Sequence, residues 1–532
     1  MGNSKPTLWD MGNGVHDNAV RPDDSIGVAI SGGGLRATLF SLGVVLYLAD
    51  SRANRRVRLI SSVSGGSITN AILALLGDFS TASPERVRSV IGRAARRIAN
   101  EGTFFLPGVG YWVGLTVGFV VSMGSFVVID GLLSGEGGLT EAVSLWWIIM
   151  VAVLSYVVFL FVIFMLSRKA IQISAYSAFL AHVFTDESLR GKDKAARTKE
   201  IRGTRLADIS DEGVQHIFCA TELVSGRPFY MSARRLTSPA FGTCEPEIDL
   251  ARVIYASAAF PAIFPPLSLG TKRLGLRGGE EPVRPPKIVL ADGGVYNNLG
   301  TDWFEDSTRP LSMIHDFGAT TPVARKIIVN ASAPRRVRRI QGWWPARNIH
   351  SLMRIFGVMY ENTVAPRLDA LKSSADEGQV AVIDIAFSTG AAARTLCSSL
   401  DEDIKERAKG LAKTLGESSL SGYLDKIAIG SSGTRTKLSR IGEAATVQLL
   451  IHGYVSALVS CHAILGTDVV LPERAWFEEM IVPSRRRPDA RKSAVVVSEP
   501  STDLPVHSQE EAEVAATAAV SSARRGEVAQ NV

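Results

Sequence analysis

The sequence predicts an α/β fold, a mostly parallel sheet flanked by helices and interrupted by a transmembrane helical hairpin. Three observations carry this. Short β-rich runs alternate with helical periodicity along most of the chain. Glycine-containing turns join strand to helix at two places near the start. Two stretches of about 25 residues each, 104–129 and 142–166, hold no charged residue. Composition agrees: 46% of the 532 residues are hydrophobic and 21% charged, which excludes a disordered or fibrous chain. The net charge of +6 is too small over this length to select nucleic acid or anionic lipid as a partner.

Residues 1–24 are polar and aperiodic and are expected to form a flexible segment, with no apolar signal region. Residues 25–100 make the first part of the α/β domain, beginning with strands at Ile26–Ile30 and Val57–Ser61. Residues 101–169 form the hairpin. Residues 170–483 make the second part, with strands at Ile217–Ala220, Ile288–Leu290 and Lys326–Val329. Within it, Ala445–Leu465 is apolar but carries His452 and His462, which suits a buried core helix better than a span. Residues 484–532 lack aromatic side chains, open with Arg485, Arg486, Arg487, Arg491 and Lys492, and read as a disordered tail. The cysteines Cys219, Cys244, Cys397 and Cys461 show no metal or disulfide spacing, so a reducing compartment is expected and no metal or other cofactor is called for.

At about 1.5 Å per residue each uncharged stretch reaches roughly 37 Å, enough to cross a hydrocarbon core of about 30 Å with some tilt. Trp146 and Trp147 lie where indoles favour the headgroup layer. Gly110, Gly114 and Gly118 strip one face of the first helix to backbone and are expected to meet the second. Arg93, Arg96 and Arg97 precede the pair and Arg168 and Lys169 follow it, whereas the loop between holds Asp130, Glu136 and Glu141 and no basic residue. The positive-inside rule then places both flanks and both termini in the cytoplasm of an integral membrane protein with two spans, expected in the cell inner membrane.

Strand Ile26–Ile30 runs into Ser31-Gly32-Gly33-Gly34-Leu35-Arg36 and a helix, leaving backbone N–H groups free to face a negative charge. The nucleotide-binding glycine patterns are not met, since residue 37 is Ala and no Lys-Ser/Thr follows. Strand Val57–Ser61 leads through Ser62-Val63-Ser64-Gly65-Gly66 into a second helix, the layout of a nucleophile elbow with Gly66 two residues after Ser64 and Ser62 where glycine is usual. On that basis Ser62→Gly is expected to preserve or raise activity. A third strand ends in Asp292-Gly293-Gly294, followed by Tyr296-Asn297-Asn298; a strand-end carboxylate on a permissive turn can serve as a base.

Glycine cradle, elbow serine and strand-end aspartate in this order resemble the patatin-like phospholipase family. Ala256-Ser257-Ala258-Ala259-Phe260-Pro261, Phe264-Pro265-Pro266, and Ala220-Thr221-Glu222-Leu223 with Gly226 add to the resemblance, which covers roughly residues 25–100 and 170–475. It implies a Ser-Asp dyad without histidine: Ser64 as nucleophile, Asp292 as base, an oxyanion hole along Gly32, Gly33 and Gly34, and supporting positions at Arg36, Gly66, Gly293 and Gly294. The implied substrate is a membrane phospholipid or lysophospholipid, with the lipid bilayer as the other partner and no nucleic acid. A catalytically weak or inactive scaffold or lipid-binding protein is the competing reading, favoured by Ser62. A channel or transporter is disfavoured because the spans carry no ionisable residue.

Overall fold

The computed structural model describes residues 24–103, 113–120, 124, 145–185, 190–261, 263–302, 323–332, 346–374, 378–417, 421–434 and 438–481. The hairpin loop with Asp130, Glu136 and Glu141, the N-terminal segment to residue 23 and the basic tail lie outside them; the tail belongs to a separate unit, 483–532.

Among the described residues one ten-stranded sheet organises the first unit. Its centre is parallel, in the order β10 (Val380–Asp384), β9 (Arg325–Asn330), β1 (Ile26–Ile30), β2 (Val57–Val63) and β3 (Gln215–Glu222). All of β1 and all but one residue of β2 are buried, as expected of strands covered by helices on both faces. Beyond β3 the pairing turns antiparallel. β4 (Arg227–Ser232), β5 (Leu236–Ser238) and β6 (Gly242–Cys244) continue as a meander, while β8 (Lys287–Asp292) pairs with the end of β3 and carries β7 (Leu267–Gly270). The expected parallel sheet flanked by helices is thus present over five strands, and the antiparallel strands beyond β3 make the sheet mixed at that side. The five strands expected from sequence are all present; β4, β5, β6, β7 and β10 are not among them, and β5, β6 and β7 are only three or four residues long.

Helix α1 (Gly34–Asp50) follows β1, and α2 (Gly65–Leu76) follows β2. α3 (Pro84–Asn100) starts with Ser83 accepting a hydrogen bond from the Arg86 N–H and Pro84 in its first turn. The long helix α4 (Leu145–Phe184) comes next, then α5 (Leu250–Ser257) and the single turn α6 (Gly294–Asn297). Helix α7 (Glu443–Leu465) is largely enclosed, with His452 buried. It crosses α1 at contact distance: a Cβ on Gly43 would strike the Leu450 carbonyl, and one on Gly453 the Phe40 carbonyl. Such an approach explains why an apolar helix of this length sits in the core.

Helix α4 has two characters. Its first half leaves Leu154, Val157, Phe161 and Leu166 exposed, Leu166 by 75%. Its second half is packed into the core, with Gln172 and Tyr176 at 0% and 1%. Arg168, between the halves, donates to the Ile263 carbonyl at 2.9 Å. Residues 113–120, which with residue 124 are the described part of the first uncharged stretch, are helical and lie against α4: the Thr116 and Tyr156 hydroxyls hydrogen-bond, and Phe119 packs on Tyr156 and Phe159 with ring centroids 4.9 and 5.7 Å apart. This corrects one expectation. Among the described residues a Cβ on Gly114 or Gly118 would meet nothing within 4 Å, so these two glycines do not pack on the described side chains of α4, and Thr116 and Phe119 make that contact instead; Gly110 lies outside the described residues.

Candidate active site

At the C-terminal edge of the parallel strands, where α/β folds place their sites, three segments converge. Ser64 stands between β2 and α2 with φ 52° and ψ −120°, one of two non-glycine residues with positive φ among the described residues, the other being Arg52. That strained turn is the one a nucleophile elbow requires. Gly65 and Gly66 permit it, since a Cβ on Gly66 would lie 2.6 Å from the Ile30 carbonyl oxygen and one on Gly65 would run into Gly34. Ser64 is half-buried, so its hydroxyl remains reachable.

Asp292 is the last residue of β8 and is 1% exposed. Oδ1 accepts the Gly294 N–H at 2.8 Å, and the Thr221 hydroxyl donates to the Asp292 carbonyl at 2.9 Å. Burial pushes the Asp292 carboxyl up to about 6, an effect opposed by the Ser64 hydroxyl and by the Gly294 N–H. Ser64 is thus near enough to favour the charged form, yet Oδ2 has no hydrogen-bond partner of full geometry in the resting chain. Such contacts commonly tighten only when substrate orders the serine. Gly293 fits because a Cβ there would strike the Cys219 carbonyl; one on Gly294 would crowd Asn298 and the carboxylate.

The glycine loop closes the third side. Gly33 and Gly34 have φ of 145° and 62°, are partly exposed, and their N–H groups have no acceptor among the described residues. Gly32 differs from the expectation: its N–H donates to the Asn298 carbonyl at 3.0 Å and is not free for an oxyanion. Its lack of a side chain has another use, since a Cβ there would lie 3.1 Å from that of Ser64 and would collide with Asn298. Two donors therefore remain in the cradle, at the N-terminus of α1, whose dipole favours negative charge. Arg36 is buried and donates to the Ala331 and Thr434 carbonyls at 2.9 and 3.0 Å, tying the start of α1 to the end of β9. Its charge lies within the fold behind the cradle.

Sequence reasoning missed two roles. Asn298 links the glycine loop to the aspartate turn and anchors its own amide on the Ser332 hydroxyl at 2.7 Å; its position just after Asp-Gly-Gly was the available signal. Ser62 is the second. Its hydroxyl accepts from Asn70 Nδ2 at 2.9 Å and pairs with the Ser67 hydroxyl at 3.1 Å, so the departure from glycine is built into the elbow. The expectation for Ser62→Gly changes accordingly: the variant should lose about 1–3 kcal/mol of stability, because buried partners are left short of a hydrogen bond, and a melting temperature equal to wild type would contradict this. Among the described residues, no group of three or more His, Cys, Asp or Glu side chains is placed to share a metal ion.

A mixed α/β sheet with a strained serine after one strand, a buried carboxylate at the end of another and an open glycine loop defines a scaffold of the serine-hydrolase type. The patatin-like phospholipase family model matches residues 28–304, and the chain belongs to that family. The match stops short of residue 475, although β9, β10 and α7 share the same sheet and core. No curated protein matches by sequence. Among solved structures, human GIVD cytosolic phospholipase A2 in complex with methyl gamma-linolenyl fluorophosphonate is 12% identical with a TM-score of 0.33, over 88% of this chain and 60% of that one. VipD from Legionella pneumophila is 13% identical with a TM-score of 0.22, over 88% and 93%. This chain thus spans less than two thirds of the human protein's length.

Proposed function

We propose that this protein is a membrane-anchored lipid acyl hydrolase that works through Ser64 and Asp292. The observation that carries the reading is the elbow: a serine held at φ 52° on a strand-to-helix turn beside a buried carboxylate and two N–H groups with no acceptor among the described residues. Asp292 takes the Ser64 proton, the serine oxygen attacks the ester carbonyl, and the Gly33 and Gly34 N–H groups meet the developing oxyanion. The alcohol leaves with a proton returned by Asp292, and water then releases the acyl group by the reverse sequence. The sequence of steps assigns no proton transfer to histidine. His216 is buried and held to about 3, and His452 to about 4, both by burial, so neither carries charge at neutral pH.

Because the base must be ionised, kcat/KM for a lipid ester should fall about tenfold per pH unit below about 6 and level off above it. A profile flat from pH 5 to 8 would contradict Asp292 as the base. Fatty acid release from phospholipid and lysophospholipid vesicles by the purified protein tests the activity itself; no release from either would leave the lipid reading without support.

The anchor rests on α4. A helix with Val157, Val158, Phe161 and Val162 exposed along one face, continued by Leu154 and Leu166, has no stable place in water, and a bilayer removes that exposure. Arg168 then falls at the membrane surface and the buried half of α4 enters the catalytic core, so substrate in the same bilayer lies near the site. Ser64 precedes the hairpin and Asp292 follows it, which requires an even number of crossings. Single cysteines at positions 134, 167 and 501 report this in intact cells: a membrane-impermeant maleimide should label only Ser134→Cys. Labelling of Ser501→Cys would mean a third crossing, and labelling of Ser167→Cys would remove the hairpin.

A further inference from the structure

We infer that Ser257 is a positioning residue of this site, the clamp that holds the nucleophile's backbone and the base's backbone in one geometry; the inference rests on the assignment of Ser64 and Asp292 above. Ser257 closes α5 and is fully buried. The Ser64 N–H reaches both of its oxygens, the hydroxyl at 3.0 Å and the carbonyl at 3.2 Å. The same carbonyl accepts the Gly293 N–H at 3.1 Å, immediately after the base, and two residues on, the Ala259 carbonyl accepts the Asp292 N–H at 3.1 Å. One short segment therefore grips Ser64 from one side and Asp292 and Gly293 from the other.

The hydroxyl is itself fixed from three directions. It donates to the Cys219 carbonyl of β3 at 2.7 Å, pairs with the Ser67 hydroxyl of α2 at 2.8 Å, and accepts from Ser64. Ser67 pairs with Ser62, Ser62 accepts from Asn70, and the Asn70 carbonyl oxygen meets His216 Nδ1 at 2.7 Å. All of these side chains are buried, each of them 3% exposed or less. The chain is fully satisfied and enclosed, the condition under which a polar network fixes one arrangement rather than several. What it fixes is costly to hold otherwise, since a non-glycine residue at the Ser64 backbone angles is strained and persists only where its surroundings over-determine it. Without the Ser257 hydroxyl, the Ser64 N–H retains only the longer carbonyl contact and the turn can relax. A nucleophile displaced by about 1 Å loses about a hundredfold in rate.

The test is the second-order rate of covalent labelling by a long-chain alkyl fluorophosphonate, measured on the full-length protein in detergent micelles alongside the melting temperature. Ser257→Ala should label about 10- to 100-fold more slowly than wild type, and in vesicle assays its kcat should fall with KM within threefold of wild type. Ser257→Thr, which keeps the hydroxyl, should recover most of the rate. Ser41→Ala provides the comparison: it removes a buried hydroxyl bonded to Thr69 Oγ1 at 2.8 Å, a contact between α1 and α2 with no hydrogen bond to Ser64, Ser257 or Asp292, and should label at the wild-type rate. Ser257→Ala labelling within threefold of wild type overturns the inference, and so does an equal loss in Ser41→Ala, which would show a general effect of lost stability. Should Ser257→Ala fail to fold, Ser67→Ala removes the hydroxyl's buttress and should slow labelling by about 3- to 10-fold; no slowing overturns the inference. If wild type itself is not labelled, the assignment of Ser64 fails first and carries this inference with it.

Discussion

Ser64→Ala should reduce lipid ester hydrolysis by about 10⁴-fold or more while leaving expression, membrane association and melting temperature unchanged. The size follows from losing the covalent step altogether, with only the glycine cradle and substrate binding left to lower the barrier. Relief of turn strain adds nothing to the loss, because alanine must hold the same φ of 52°. More than a tenth of wild-type turnover, a barrier change under about 1.4 kcal/mol, would require another nucleophile.

Asp292→Asn should show opposite effects on activity and stability. Asparagine keeps the shape and can still accept the Gly294 N–H, but it cannot take a proton, so hydrolysis should fall by about 10³- to 10⁴-fold. For stability the sign follows from the raised value: the folded chain binds this proton near pH 6 and the unfolded chain near 3.8. Its contribution is therefore fully present below pH 3.8 and lost as pH rises through 6. Above that the folded wild type carries a buried carboxylate at a cost of about 3 kcal/mol, the free-energy equivalent of binding the proton near pH 6 rather than near 3.8. The variant escapes this cost, so it should melt higher than wild type at pH 8, and the difference should shrink toward zero near pH 4. A variant less stable than wild type at pH 8 would mean that the carboxylate is held by favourable contacts and not burdened by burial.

The parts of this site legible in the sequence are those made by local backbone demands. Gly33, Gly34, Gly65 and Gly66 announce turns that side chains would block, and Ser64 and Asp292 sit at strand ends where such turns place them. The strand β1 is readable because a fully buried strand is a continuous apolar run, and β9 because its buried Ile327, Ile328 and Val329 are β-branched. The pairing of β8 with β3 is not legible, because an antiparallel partner entering from far along the chain leaves no local mark, and the sheet's mixed character is hidden with it. Gly32 reads as an oxyanion donor because sequence shows a third glycine but not that the Asn298 carbonyl takes its N–H. Ser62 looks like a defect for the same reason: its three partners lie 5, 8 and 155 residues away, on a second helix and a neighbouring strand. Gly114 and Gly118 suggest a helix contact that, among the described residues, Thr116 and Phe119 make instead, since small residues permit close approach without requiring it.

The most direct measurement is intact-protein mass after incubation with an alkyl fluorophosphonate, followed by peptide mapping of the modified residue. Wild type should gain one phosphonyl adduct on Ser64, and Ser64→Ala should gain none, with Asp292→Asn modified far more slowly than wild type. An adduct on another serine, or no adduct under conditions where vesicle lipids are hydrolysed, would contradict a Ser64 nucleophile and the reading built on it.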